Sequence, residues 1–251
     1  MPTVIINADD FGLNEHITKA IAEAFKRGLI TDTTMMATGK YFDEAVALAK
    51  EQGFFDRIGV HLNLTEGEPL TEDIKAQPRF VNNGRFHKGY DRRKKLTSAE
   101  QEAISKELSA QIEKLQKAGI CITHADSHHH VHTGLYIAPV VVRVCREHGI
   151  NKIRLHRNLG QISFLKRFIK QKYNNWLRKQ GFVTTKYFAY VMDVDGKEIP
   201  DSTEIMVHPD YEQNGALIDR RGMQDGCPVG TPLIDLRDKK DYHLGGYTEL
   251  S

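Results

Sequence analysis

Apolar residues in this chain fall into short runs separated by stretches of helical periodicity, the order expected of βα units around a parallel sheet. Residues 3–7, Thr-Val-Ile-Ile-Asn, open as a core strand. Over residues 15–27 the apolar positions Ile17, Ala20, Ile21 and Ala24 recur at helical spacing, and Gly28 stops the stripe. Residues 33–38 and 58–64 read as the next strands, with a helix over 42–52 between them. A long helix is expected over 98–118, its stripe formed by Ile104, Leu108, Ile112 and Leu115 and its start by a capping box of Ser98 with Gln101. Strands over 121–126, 152–155, 187–191 and 203–207 and a helix over 137–148 follow.

Two stretches break this alternation. Residues 66–96 are rich in Pro, Gly, Asn and charge, which predicts an inserted loop too polar for the core, either a lid or a disordered excursion. Residues 210–251 carry Gly, Asp and Arg with little helical periodicity.

The polar residues at the strand ends change the picture from scaffold to site. Five histidines fall within the nine residues His124-Ala-Asp126-Ser-His128-His129-His130-Val-His132. Were the strand to continue, Asp126, His128, His130 and His132 would share one face and His129 the other. A hydrophobic core gains nothing from several buried imidazoles, whose ring nitrogens all need partners, and His-x-His on a strand is a chelating geometry. Asp9 and Asp10 follow the first strand, His61 lies in the third, and His208 follows residues 203–207. In parallel α/β folds the carboxyl ends of the strands open on one crevice, so Asp9, Asp10, His61, His128, His130 and His208 are expected in one pocket. A divalent cation would relieve the repulsion of the acid pair by holding one carboxylate and leaving the other as a base. The competing use of the pair is a helix N-cap or solvated turn before Glu15.

One carboxylate with two imidazoles leaves coordination positions open for water and substrate, as hydrolysis requires. Gly-x-Ser-x-Gly, Walker and Gly-x-Gly-x-x-Gly patterns are all missing from the sequence. A metal-dependent phosphoesterase on a similar barrel and a non-catalytic metal- or sugar-binding module stay open as alternatives.

Composition narrows the setting. The 251 residues, 40% of them hydrophobic, suit one domain over 1–251. Thirty-five basic against 33 acidic residues argue against nucleic acid as a partner, and Arg92-Arg93-Lys94-Lys95 reads as a solvated face. A basic amphipathic helix carrying Phe164, Phe168, Ile169, Tyr173, Trp176 and Leu177 is expected to pack on the barrel exterior rather than on a membrane. Its aromatic face near Trp176 is a candidate contact of a homodimer. Cys121, Cys145 and Cys227 are widely spaced and expected as free thiols of a cytoplasmic protein. The opening strand leaves no room for a cleavable presequence, and no apolar run approaches the roughly 20 residues of a membrane span.

Asn7-Ala-Asp-Asp-Phe-Gly12, Gly59-Val-His61, Thr123-His-Ala-Asp-Ser-His-His-His-Val-His132 and Met206-Val-His-Pro209, in this order, resemble the motifs of the YdjC-like carbohydrate deacetylases, which include chito-oligosaccharide deacetylases. The resemblance implies a distorted, TIM-barrel-like (β/α) barrel that removes the acetyl group from an N-acetylated sugar such as N,N'-diacetylchitobiose. It implies one divalent ion, Mg2+ or Zn2+ with Mn2+, Co2+ or Ni2+ as alternatives, on Asp10, His61 and His128. Asp9 matches the general base and His208 a general acid or oxyanion stabiliser. Arg154 resembles a position facing substrate, and His130 would bind sugar hydroxyls or orient a ligand. The tail after Pro209 departs from the helix-rich closing segment that the family leads one to expect.

Overall fold

The computed structural model describes residues 1–220, 231–237 and 241–251; Cys227 lies outside them. The core is a curled, all-parallel sheet of β1 (Thr3–Phe11), β2 (Asp32–Met35), β3 (Ile58–Leu62), β6 (Ala125–Ser127), β7 (Tyr187–Tyr190) and β8 (Thr203–Val207), in the order β6-β3-β2-β1-β8-β7. β1 is central and buried almost throughout, as a strand covered on both faces requires. Helices α1 (Glu15–Lys26), α2 (Phe42–Glu51), α4 (Ser98–Lys117) and α5 (Ala138–Glu147) supply the crossovers. The α/β barrel expectation therefore holds, in distorted form. Between β6 and β7 only single bridges, Ala125 to Ile153 and Lys152 to Val183, span the gap where a strand over 152–155 was expected.

Local chemistry sets the helix ends. Asn14 caps α1 by accepting from the Ile17 N–H at 3.0 Å, so the acid pair at 9–10 is not the cap. The capping box of α4 is Thr97 with Glu100, one residue earlier than expected.

The 66–96 insertion is not a polar excursion. It folds into α3 (Glu72–Lys75) and the hairpin of β4 (Val81–Asn82) and β5 (Arg85–Phe86), and it buries Ile74 and Phe80 completely. Buried Glu107 of α4 pins it by accepting from the Leu70 and Thr71 N–H groups and the Thr71 hydroxyl. The few apolar residues of this segment, spaced without a clear period, sufficed to anchor it.

The helix α6 (Phe164–Lys179) packs through its C-terminal half. Leu177 is buried and Tyr173 and Trp176 lie against the core, whereas Phe164, Leu165, Phe168 and Ile169 are exposed. The expected packing on the barrel exterior thus covers only part of it.

The tail after Pro209 builds no α-helix among the described residues. β9 (Pro209–Tyr211), β10 (Leu217–Asp219) and β11 (Thr231–Pro232) form an antiparallel sheet, and β12 (His243–Leu244) pairs with the first residues of β1. A turn over Tyr247–Glu249 follows, with the Tyr247 ring fully buried.

Candidate active site

Strict alternation would send Asp9 and Asp10 to opposite faces of β1. The register against β2 shifts between Ala8 and Phe11, and Asp10 takes a left-handed φ of 74°. This irregularity turns both carboxylates to the carboxyl end of the sheet, where each lies within ligand distance of His61.

Asp10 Oδ1 sits 3.2 Å from His61 Nε2 and 2.7 Å from His128 Nδ1. Candidate donor atoms of Asp10, His61 and His128 all lie within 4.8 Å of one another, and all three residues are buried. The second nitrogen of His61 meets Asp126 Oδ1 at 2.6 Å and Thr34 Oγ1 at 3.0 Å. A carboxylate and two imidazoles, one ring oriented from behind by a further carboxylate, is a donor set that fits a divalent ion.

The strand delivering His128 stops at Ser127. A helical turn over His128–Thr133 follows, with left-handed φ at His129 (52°) and His130 (53°). Ser127 Oγ accepts the His132 N–H at 2.9 Å and the Thr133 hydroxyl donates to His130 O at 2.8 Å, closing the turn. The expected row of Asp126, His128, His130 and His132 on one strand face is therefore not formed. His132 instead turns inward against Ser127 Oγ at 2.5 Å, and burial keeps it neutral. His130 lies beside Tyr190, 3.3 Å from ring nitrogen to hydroxyl. His129, which alternation pointed away, comes back to the pocket: it joins Glu66 and His128 in a second donor group, with its Nδ1 on Thr65 Oγ1 at 2.9 Å.

Arg154 lies beneath the pocket rather than on its open side. Fully buried, it holds Asp9 with both fork nitrogens at 2.7 Å, Asp126 at 2.6 Å and Glu204 at 2.7 Å. Its guanidinium is committed to these carboxylates, so the structure places no part of it toward a ligand. His208, half-buried at the end of β8, is close enough to contribute to the field on Asp9; its backbone N–H donates to Asp219 Oδ1 at 3.0 Å.

The electrostatics follow from these pairings. Burial opposes ionisation of Asp9, but Arg154, with His61 and His208, holds it below the usual carboxylate range. Burial likewise opposes charge on Asp10, and His128 and His61 overcome it. Burial disfavours the cationic form of His61, yet Asp126, Asp10 and Asp9 carry its pKa to about 10. His128 is raised in the same way: Asp10 on Nδ1 and Glu66 on Nε2 outweigh its burial.

Comparison with known proteins gives the family. A family model described as "YdjC-like protein" matches residues 3–240. The chain belongs to the YdjC-like family. A protein of Clostridium beijerinckii named carbohydrate deacetylase is 37% identical over 215 residues, 83% of this chain and 81% of its own length. A protein of the same name from Brevibacillus brevis is 35% identical over 223 residues, 85% and 84% of the two chains. A crystal structure from Enterococcus faecalis V583 superposes with a TM-score of 0.68 at 24% identity, covering 98% of this chain and 97% of that one. That likeness shows the fold.

Several neighbours of the site in this YdjC-like chain were not legible as such. Glu66 reaches His128 Nε2 at 3.2 Å from the insertion, Arg220 lies 3.2 Å from Asp10 Oδ2, and Arg92 donates to His129 O at 2.6 Å. Arg92 therefore does more than form a solvated basic face. Glu204 did carry a signal: an acid inside the apolar run of residues 203–207 has to be paired.

Proposed function

We propose that this chain is a carbohydrate N-deacetylase, a hydrolase that removes the acetyl group from an N-acetylated sugar, with chito-oligosaccharides such as N,N'-diacetylchitobiose as substrates. The observation that carries the reading is the buried Asp10, His61 and His128 donor group with the clamped carboxylate of Asp9 beside it, in a chain whose relatives bear the deacetylase name. Asp10, His61 and His128 would hold one divalent ion, which when bound polarises the acetyl carbonyl and eases deprotonation of water.

The remaining chemistry belongs to the chain. Asp9, kept ionised and oriented by Arg154, accepts the proton of the attacking water. Its two fork hydrogen bonds fix where that proton goes. An amide nitrogen leaves poorly without a proton, and His208 supplies one as the tetrahedral intermediate collapses. Asp126 holds the His61 ring from behind, and Glu66 does the same for His128. Arg154 acts as a positioning residue for Asp9, while His130 with Tyr190 meets sugar hydroxyls at the rim. No helix among the described residues is long and apolar enough to cross a membrane, and the reading places a single-domain, homodimeric enzyme in the cytoplasm.

The test is acetate release from N-acetylglucosamine oligomers by metal-stripped protein, with Zn2+, Mg2+, Mn2+ or Co2+ restored one at a time. Metal-dependent acetate is expected. Protein that binds an ion yet releases no acetate with any of them would overturn the reading, and turnover of a phosphate ester under the same conditions would replace it with the phosphoesterase.

A further inference from the structure

We propose that Tyr247, in the turn after β12, is a positioning residue for Asp9 that acts from the opposite end of the barrel through Glu204 and Arg154. The inference rests on the deacetylase reading for the role of Asp9. A chain of three buried links carries it. Tyr247 Oη donates to Glu204 Oε2 at 2.6 Å, Glu204 Oε1 accepts from Arg154 Nε at 2.7 Å, and Arg154 grips both oxygens of Asp9 at 2.7 Å. Tyr247, Glu204 and Arg154 are each fully buried.

The tyrosine is held as firmly as the groups it would hold. Its ring stacks on His124 at 3.6 Å between centroids and 6° between planes. Gly59 makes the room: a Cβ there would come within 2.6 Å of the His124 ring. The Tyr247 N–H donates to Asp32 Oδ1 at 3.0 Å, and its carbonyl accepts from Lys152 Nζ at 2.6 Å.

Geometry explains how the effect reaches Asp9. A guanidinium is a rigid plane, so a hydrogen bond at Nε sets the direction in which the Nη fork points. Glu204 makes that bond with one oxygen, and the Tyr247 hydroxyl fixes the other. Without the hydroxyl the Glu204 carboxylate is free to rotate and leaves a buried oxygen unpaired, which is costly. The Arg154 plane follows it, and the fork on Asp9 loosens. A misplacement of about 1 Å at a reacting group costs on the order of 100-fold; an effect relayed through two side chains is expected at ~10-fold.

The experiment is Tyr247→Phe, which keeps the ring on His124, with Glu204→Gln as a second variant should the first fail to fold. The proposal expects kcat at saturating metal down ~10-fold with KM unchanged, because no residue facing the sugar is altered. In an Asp9→Asn background the same change should leave the residual rate nearly constant; a merely structural role would lower it in both backgrounds. An independent readout is the Arg154 Nε–H resonance, which should move in either variant whether or not the protein releases acetate. A wild-type kcat in Tyr247→Phe, or an unmoved Arg154 resonance, overturns the proposal. Absence of acetate from the wild type with a moved resonance overturns the deacetylase reading and leaves the linkage standing.

Discussion

Binding of the divalent ion should expel protons, and the number follows from the structure. Both nitrogens of His61 face carboxylates, Asp126 at 2.6 Å and Asp10 at 3.2 Å. An imidazole between two carboxylates satisfies both only as the doubly protonated cation. Burial opposes that charge, but the acids raise the His61 pKa from 6.5 to about 10, so at neutral pH the proton is present. His128 repeats the arrangement with Asp10 at 2.7 Å and Glu66 at 3.2 Å, and its pKa too is raised. An ion taking His61 Nε2 and His128 Nδ1 replaces those protons, a divalent charge exchanged for about one to two positive charges.

The sign is then fixed. These groups bind protons in the stripped protein and not in the loaded one, so affinity falls as pH falls. Each released proton changes the dissociation constant about tenfold per pH unit, roughly 1.4 kcal/mol. Below about pH 9 the metal should therefore bind ~10-fold more tightly per unit rise on account of His61, more steeply where His128 is protonated as well, flattening as pH passes the His61 value of about 10. Calorimetric titration in buffers of different ionisation enthalpy counts the protons directly. A count near zero, with a dissociation constant indifferent to pH, would refute both the doubly protonated His61 and its place among the ligands.

Two further outcomes follow. Asp9→Asn removes the proton acceptor but no ligand, so metal content should stay at the wild-type level while kcat drops by about 100- to 10,000-fold; full activity in that variant would remove Asp9 as the base. His130→Gly relieves a left-handed φ of 53°, and thermal unfolding should move by no more than ~1 kcal/mol while KM for the sugar rises; a large loss of stability would show that the ring holds the turn closed.

What the sequence told and withheld divides along a physical line. Strand ends were readable because a parallel sheet directs them to one side, so Asp9, Asp10, His61 and His128 could be brought to one pocket from spacing alone. Orientation within the pocket was not readable, because it depends on departures from regular geometry. Alternation assigned faces correctly only while the backbone stayed extended; it failed at Asp10 and again at His129, the positions where φ turns positive. Those two departures bring Asp10 and His129 to the site: Arg220 meets Asp10 at the first, and the Ser127 to His132 hydrogen bond closes the turn at the second. Arg154 was legible as important and misread in direction, since a sequence gives no sign of whether a guanidinium faces a ligand or the carboxylates below it. The tail was opaque for a related reason. Its contribution is one tyrosine seated by Gly59, His124 and Glu204, residues 43 to 188 positions away that only the closed sheet brings together. The local patterns therefore specify which groups this chain can offer to a reaction, and the irregular backbone specifies which way they point.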